Sequence, residues 1–330
     1  MILLLELGLV FFHLLAWVAV GHALLTKRDP RSALGWSVVV LFMPVVGVIA
    51  YAIFGIGRTE SRAAAIMRHN AALAPGYTHP ALGAKVPEQI PEQIRHMELL
   101  GRHLTQQHLC GGNSIEPLVN GNEAYPAMLE AIRRAKDHVY LLTYIFNSGE
   151  VADSFAKELT AAVQRGVDVR ILLDGLGRFY SFRTPVRKIA KAGARVAYFL
   201  PPRLFPPNLM INLRDHRKLL VCDDVAFTGG MNIADYHVVL PGRRHCVQDM
   251  QFCCQGPITR ELRRAFLMDW GFATGKYDTA LPERSPERVG RSLCRIVMDG
   301  PGGSTDPLND LIAGSISNAL KKVRIMTPYF

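Results

Sequence analysis

Paired cysteines are the first thing this sequence lacks. Its six cysteines (Cys110, Cys222, Cys246, Cys253, Cys254, Cys294) form no CxxC pair, which argues against a zinc or disulfide framework and for structural thiols in a reducing compartment. His245 beside Cys246, with Cys253 and Cys254 beyond, makes a poor zinc set. Charge is also scarce, at 20% against 49% hydrophobic residues, and the scarcity is concentrated at the N-terminus. The first apolar run, "LLLELGLVFFHLLAWVAVGHALL" (Leu3 to Leu25), lacks a basic start and a small-residue cleavage pattern. Those absences argue against a removed signal peptide. Residues 58 to 115 hold no catalytic pattern; "APGYTHPALGAKVPEQIPEQIRHM" reads as a proline-bearing linker before a short helix.

What is present begins with two spans. Leu3 to Leu25 and "ALGWSVVVLFMPVVGVIAYAIFG" (Ala33 to Gly55, with Ile56-Gly57 following) are each long enough to cross a bilayer, and the polar "TKRDPRS" between them reads as a short turn. The expectation is a transmembrane hairpin. Glu6 lies near the interface end of the first span, and His13 lies inside it, where ionisable groups are expensive. Lys27, Arg28 and Arg31 in the turn balance Arg58, Arg62 and Arg68 after the second span, so basic residues do not set an orientation. The formal charge of +10 suits an anionic partner, and beside two spans that partner is a lipid surface rather than nucleic acid.

From "LVNGNEAYPAMLEAIRRAKDHVYLLTYIF" onward the texture becomes α/β. Tyr125 to Lys136 has helical apolar spacing, Val139 to Phe146 reads as a buried strand, and a second helix leads through Arg165-Gly166 into a strand ending at Asp174. Alternating strands and helices predict a sheet covered by helices. An internal repeat is also visible. At one constant offset "YPAMLEAIRRAKDHVYLLTYIF" overlies "NDLIAGSISNALKKVRIMTPYF", matching Ile132 with Ile316, Ala135 with Ala319, Val139 with Val323, Thr143 with Thr327 and Phe146 with Phe330.

The chemistry concentrates in "DHRKLLVCDD", Asp215 to Asp224. On an extended chain His216 and Lys218 share a face. "LLVC" and "VAFT" flank Asp223-Asp224 as a hairpin with a two-residue turn, pairing Cys222 with Val225 and bringing His216 opposite Met231, beside Asn232. Gly229 and Gly230 remove side chains there, so a ligand is expected to approach the backbone closely. A neutral imidazole attacks phosphorus, a lysine is a compact charge for phosphate oxygens, and an asparagine amide adds donors. Asp223 stands at an odd offset from His216 and reads as a turn or supporting residue.

The spacing His216-x-Lys218-x4-Asp223, followed by Gly229-Gly230-x-Asn232, resembles the phospholipase D superfamily and, within it, bacterial cardiolipin synthases. The likeness extends through "LVNGNEAYPAMLEAI", "RGVDVRILLDGLG", "NLRDHRKLLVCD", "FTGGMNIAD", "CVQDMQFCCQGPITREL" and "FLMDW". It implies an α/β fold: a two-helix transmembrane hairpin (1–57), a linker (58–115), one phospholipase D-like domain (116–290) and the beginning of a second, truncated one (291–330). It further implies metal-free, cofactor-free phosphatidyl transfer, with His216, Lys218 and Asp223 catalytic. Lys218, Asn232, Gly229 and Gly230 would bind substrate, and Asp249 in "VQDMQF" would orient the histidine. Two phosphatidylglycerols would give cardiolipin and glycerol through a phosphatidyl-histidine, at a bacterial inner membrane with the catalytic domain cytoplasmic. A phospholipase D acting on water or another alcohol, and a catalytically silent binder of anionic lipid, are the alternatives.

Three departures stand out. Asp215 occupies a position where the family commonly has Asn, and the turn after Asp223 is about one residue short. The family builds its site from two such motifs, whereas His216-x-Lys218 is the one His-x-Lys among the 11 histidines here. The implied remedy is a homodimer or a complementing C-terminal half.

Overall fold

The structure, a computed structural model, describes residues 2–27, 30–56, 92–177, 185–201, 214–242, 245–277, 286–298 and 307–325. It divides into two compact units, Met1–Ala63 and Ala64–Phe330. Arg28, most of the expected linker, and the last five residues of the repeat lie outside the described residues.

In the first unit α1 (Ile2–Thr26) is apolar along almost its whole length, and Glu6–Thr26 is long and apolar enough to cross a membrane. The second apolar run is not the single helix that its composition suggests. Pro44 has no N–H to give the preceding turn and its ring crowds the carbonyl behind it, so Met43 leaves helical geometry at φ −132°, ψ 67°. Two shorter helices result, α2 (Pro30–Phe42) and α3 (Pro44–Ala50), the latter running into a π-helical turn at Tyr51–Gly55. Ala16, Val20 and Ala23 of α1 pack on Val40 and Tyr51, and the Tyr51 hydroxyl lies 2.8 Å from His22 Nδ1. Leu7, Val10, Phe11, Leu14, Trp17 and Val18 face outward. His13 Nδ1 is 2.8 Å from Leu9 O, where a protonated ring nitrogen donates within the helix.

The second unit is built on an eight-stranded mixed sheet in the order β4-β3-β2-β5-β6-β7-β1-β8. The strands are β1 (Cys110–Val119), β2 (His138–Thr143), β3 (Asp168–Asp174), β4 (Arg195–Phe199), β5 (Leu219–Cys222), β6 (Val225–Gly229), β7 (Met250–Gln255) and β8 (Ser292–Cys294). β2, β3 and β4 are parallel, and the remaining neighbours are antiparallel. β2 and β3 are covered on both faces and buried at nearly every position, so their apolar residues run together (Val139–Leu142, Ile171–Leu173) rather than alternating. One face packs Val139, Leu141, Ile171, Leu220 and Cys222 under α5 (Asn120–Arg134) and α6 (Glu150–Gln164). The other packs Tyr140, Leu142, Leu172, Leu219 and Val221 under α8 (Ile258–Thr274), through Leu262, Phe266 and Trp270. The short α7 (Val186–Lys191) adds to the first face, while α4 (Glu92–Thr105) precedes the sheet.

The expected hairpin has the expected register, Cys222 against Val225. β1 begins at Cys110, inside the segment read as linker, and pairs with β7. β8, expected to open a second domain, instead pairs with β1 in the same sheet. The helix of the expected second repeat is present as α9 (Pro307–Ser317), but Ile316 there is 45% exposed where Ile132 of α5 is fully buried.

Candidate active site

The chemistry gathers where β2 and β3 end and β5 begins, the carboxyl end of the parallel strands, where α/β sheets open their crevices. β5 starts only at Leu219, so His216 and Lys218 occupy the extended segment leading into it. Alternation along that segment carries His216 and Lys218 with Leu220 and Cys222, and Asp215 and Arg217 with Leu219 and Val221 toward α8. Arg217 does reach α8, placing Nη1 2.6 and 2.5 Å from the two carboxylate oxygens of Asp269.

His216 is exposed, and its ring stacks on Tyr144 with centroids 4.5 Å apart at 28°. Lys218 Nζ donates to His216 O at 2.5 Å and lies 5.8 Å from the Tyr144 ring centroid. Partial burial, then the Lys218 charge, pulls the imidazole below its ordinary value despite the opposing Asp174 and Asp215 carboxyls, so the ring is neutral at neutral pH. Burial likewise lowers Lys218, while Asp215 and Asp249 act to keep it charged.

Asn232 is fixed from three sides. Its Oδ1 accepts from Ile145 N at 3.1 Å, its own N–H donates to His237 Nε2 at 3.3 Å, and its carbonyl accepts from the Tyr125 hydroxyl at 2.7 Å. With Oδ1 engaged, the amide group left to offer is its pair of N–H donors. Buried His237, whose Nδ1 is 3.4 Å from Val247 O, has a tautomer set by these two contacts. Burial is the first cause holding it in the neutral form.

The site glycines do something other than admit a ligand. A Cβ on Gly230 would collide with the Asp249 carboxylate, and one on Gly229 would come within 2.5 Å of Met250 O on the neighbouring strand. The space is filled by the protein itself. Asp249, expected to orient His216, directs its field at Lys218 and His237, while Met250 N donates to its Oδ1 at 2.7 Å. The two glycines should therefore differ. Gly229→Ala presses on backbone and is expected to cost about 1–3 kcal/mol of stability. Gly230→Ala displaces only a carboxylate tip, leaving the melting temperature nearly unchanged while any activity that depends on the Asp249 position falls roughly 10- to 100-fold. Thermal melts beside activity assays separate the two.

Asp223 is not in the cluster. At the far end of β5, with φ 50°, it accepts from the backbone N–H groups of Lys136, Asp137 and His138 at 2.8, 3.1 and 2.8 Å. It ties the hairpin turn to the start of β2. The reading from sequence missed Tyr144, hidden in an apolar run, and His237, which carried no motif signal. It also missed Asp174 and Asp269, which reach the site only through the fold.

Residues 128–270 match the family described as "Cardiolipin synthase, PLD-like domain". Those residues form a phospholipase D-like domain. Residues 14–55 match a second family, "Phospholipase_D-nuclease N-terminal", from the middle of α1 through the π-helical turn. Among curated relatives, the Major cardiolipin synthase ClsA of Bacillus subtilis is 26% identical over 97% of this chain and 69% of that protein. A Listeria monocytogenes cardiolipin synthase is 28% identical over 93% and 66%. Two solved structures align more loosely. Nuc of Salmonella typhimurium gives a TM-score of 0.38 at 21% identity, covering 49% of this chain and 96% of that one. The phosphatidylserine synthase of Haemophilus influenzae gives 0.42 at 15%, covering 66% and 57%.

Proposed function

We propose that this chain is a membrane-anchored phosphatidyltransferase of the cardiolipin synthase type. The observation that carries the reading is the exposed, neutral imidazole of His216, held flat on Tyr144 with the Lys218 ammonium at its shoulder. A ring nitrogen of His216 attacks the phosphorus of one phosphatidylglycerol. The P–N bond forms, the P–O bond to glycerol breaks, and the departing alkoxide takes a proton. The hydroxyl of a second phosphatidylglycerol then attacks the phosphorus and gives up its proton, the P–N bond breaks, and cardiolipin is released. Lys218 and the Asn232 amide carry the charge on the phosphate oxygens. Asp249 holds the ammonium in place, and Asp223 acts at a distance by anchoring the hairpin. The outward apolar residues of α1 to α3 sit in lipid as a multi-pass anchor in a bacterial cell membrane, with the catalytic unit on the cytoplasmic side. The formal +10 charge holds that unit against anionic headgroups.

Lipid extraction from cells expressing the chain tests the product. Cardiolipin accumulation supports the reading. Phosphatidic acid in its place would mean transfer to water, and an unchanged lipid profile, even with a second motif supplied, would reduce the protein to a lipid binder.

A further inference from the structure

Beneath His216, toward α8, three carboxyls are shut away from solvent: Asp174 is 2% exposed, Asp269 4% and Asp215 6%. Asp174 Oδ1 accepts from Leu176 N at 2.8 Å and lies 3.4 Å from Arg214 Nη1, and its Oδ2 accepts from Asp215 N at 3.1 Å. Asp269 is paired with Arg217. Asp215 is the acid left over. Its Oδ1 accepts from Arg217 N at 3.0 Å, closing a turn around His216. Its Oδ2 is buried without an N–H or O–H donor among the described residues, and Arg217 Nη1 is 3.8 Å away. The Asp215 and Asp269 carboxyls are within hydrogen-bond reach of each other, and that bond exists only when one of them carries a proton.

We propose that Asp215 and Asp269 share a single proton, and that Asp215 is thereby a positioning residue, keeping the turn around His216 closed and a surplus negative charge from forming under the site. The inference rests on the assignment of His216 as nucleophile. The charged and titratable groups facing the pair are Asp174 at the end of β3, then Arg214, His216, Arg217 and Lys218 before β5. Burial first pushes both carboxyls upward, Asp269 to about 7 with the Asp215 charge adding to it, while Arg217 opposes the rise in each. Below that pH the proton is held. Above it, a new negative charge repels the anionic phosphodiester and raises KM. The linkage runs the same way, since a carboxyl raised in the folded state contributes stability at acid pH that is lost as pH climbs through its folded value.

Asp215→Asn supplies the test, because an amide oxygen keeps the Arg217 bond and an amide N–H replaces the shared proton permanently. In the whole chain in detergent, infrared difference spectra of the wild type should show a protonated-carboxyl band that vanishes near pH 7, and D215N should lack it. The melting temperature of D215N should vary less than wild type between about pH 5 and 8. Asp215→Ala should lower kcat roughly 10- to 100-fold, with D215N recovering most of it and losing the alkaline rise in KM. A carboxyl band and a stability profile that are the same in wild type and D215N would overturn the shared proton. Those two readouts need no turnover, so they stand apart from the His216 assignment, which its own alanine variant tests.

Discussion

His216→Ala is expected to abolish phosphatidyl transfer, with kcat down on the order of 10⁴-fold or more, and to abolish any covalent phosphatidyl-enzyme adduct. The variant should fold normally, because the ring is exposed and packs by stacking on Tyr144. An adduct trapped from labelled phosphatidylglycerol by the wild type should be acid-labile, as a P–N bond to imidazole is. The pH dependence follows from the lowered imidazole value: the neutral ring attacks and the protonated one does not, so kcat/KM should fall only below the ordinary histidine value near 6.5. An acid-labile adduct of undiminished yield in the alanine variant would assign the nucleophile elsewhere.

The second large effect concerns the proton that departing glycerol needs. An imidazole that has just attacked phosphorus cannot deliver it, and the sequence holds one His-x-Lys. Purified chain assayed in detergent micelles at high dilution should therefore turn over slowly. Adding a polypeptide that carries a second His-x-Lys-x4-Asp should restore roughly 10²- to 10⁴-fold, the usual worth of general acid help. If activity instead rises with the square of enzyme concentration, a second copy of this chain is the donor. Turnover proportional to enzyme at every dilution, with no added polypeptide, would show that one motif suffices.

How much of this was readable beforehand depended on whether the signal was local. β2, β3 and the 223–224 hairpin were legible because a strand buried on both faces carries an unbroken apolar run at its centre and a two-residue turn fixes register. The same parity argument put His216 and Lys218 on one face. The break in the second apolar run was written in Pro44, yet hydropathy over a window responds to composition and is blind to one missing N–H. Gly229 and Gly230 drew attention correctly, but a sequence does not say what fills the space a glycine leaves. Tyr144 passed for core because it lies inside the apolar run, one residue past the end of its strand. Asp215 and Asp269 are distant in the chain, and only α8 crossing the sheet puts them together.

The anchoring of Asp223 gives the motif a meaning beyond its chemistry. The four residues between Lys218 and Asp223 are Leu219–Cys222, which is the whole of β5. With one end pinned by three amides at the start of β2, that strand acts as a ruler whose other end is the imidazole. One residue added or removed would turn His216 onto the α8 side. A change of two would restore the side but slide the ring about 6–7 Å along the crevice. Selection on this motif thus acts on length as firmly as on residue type.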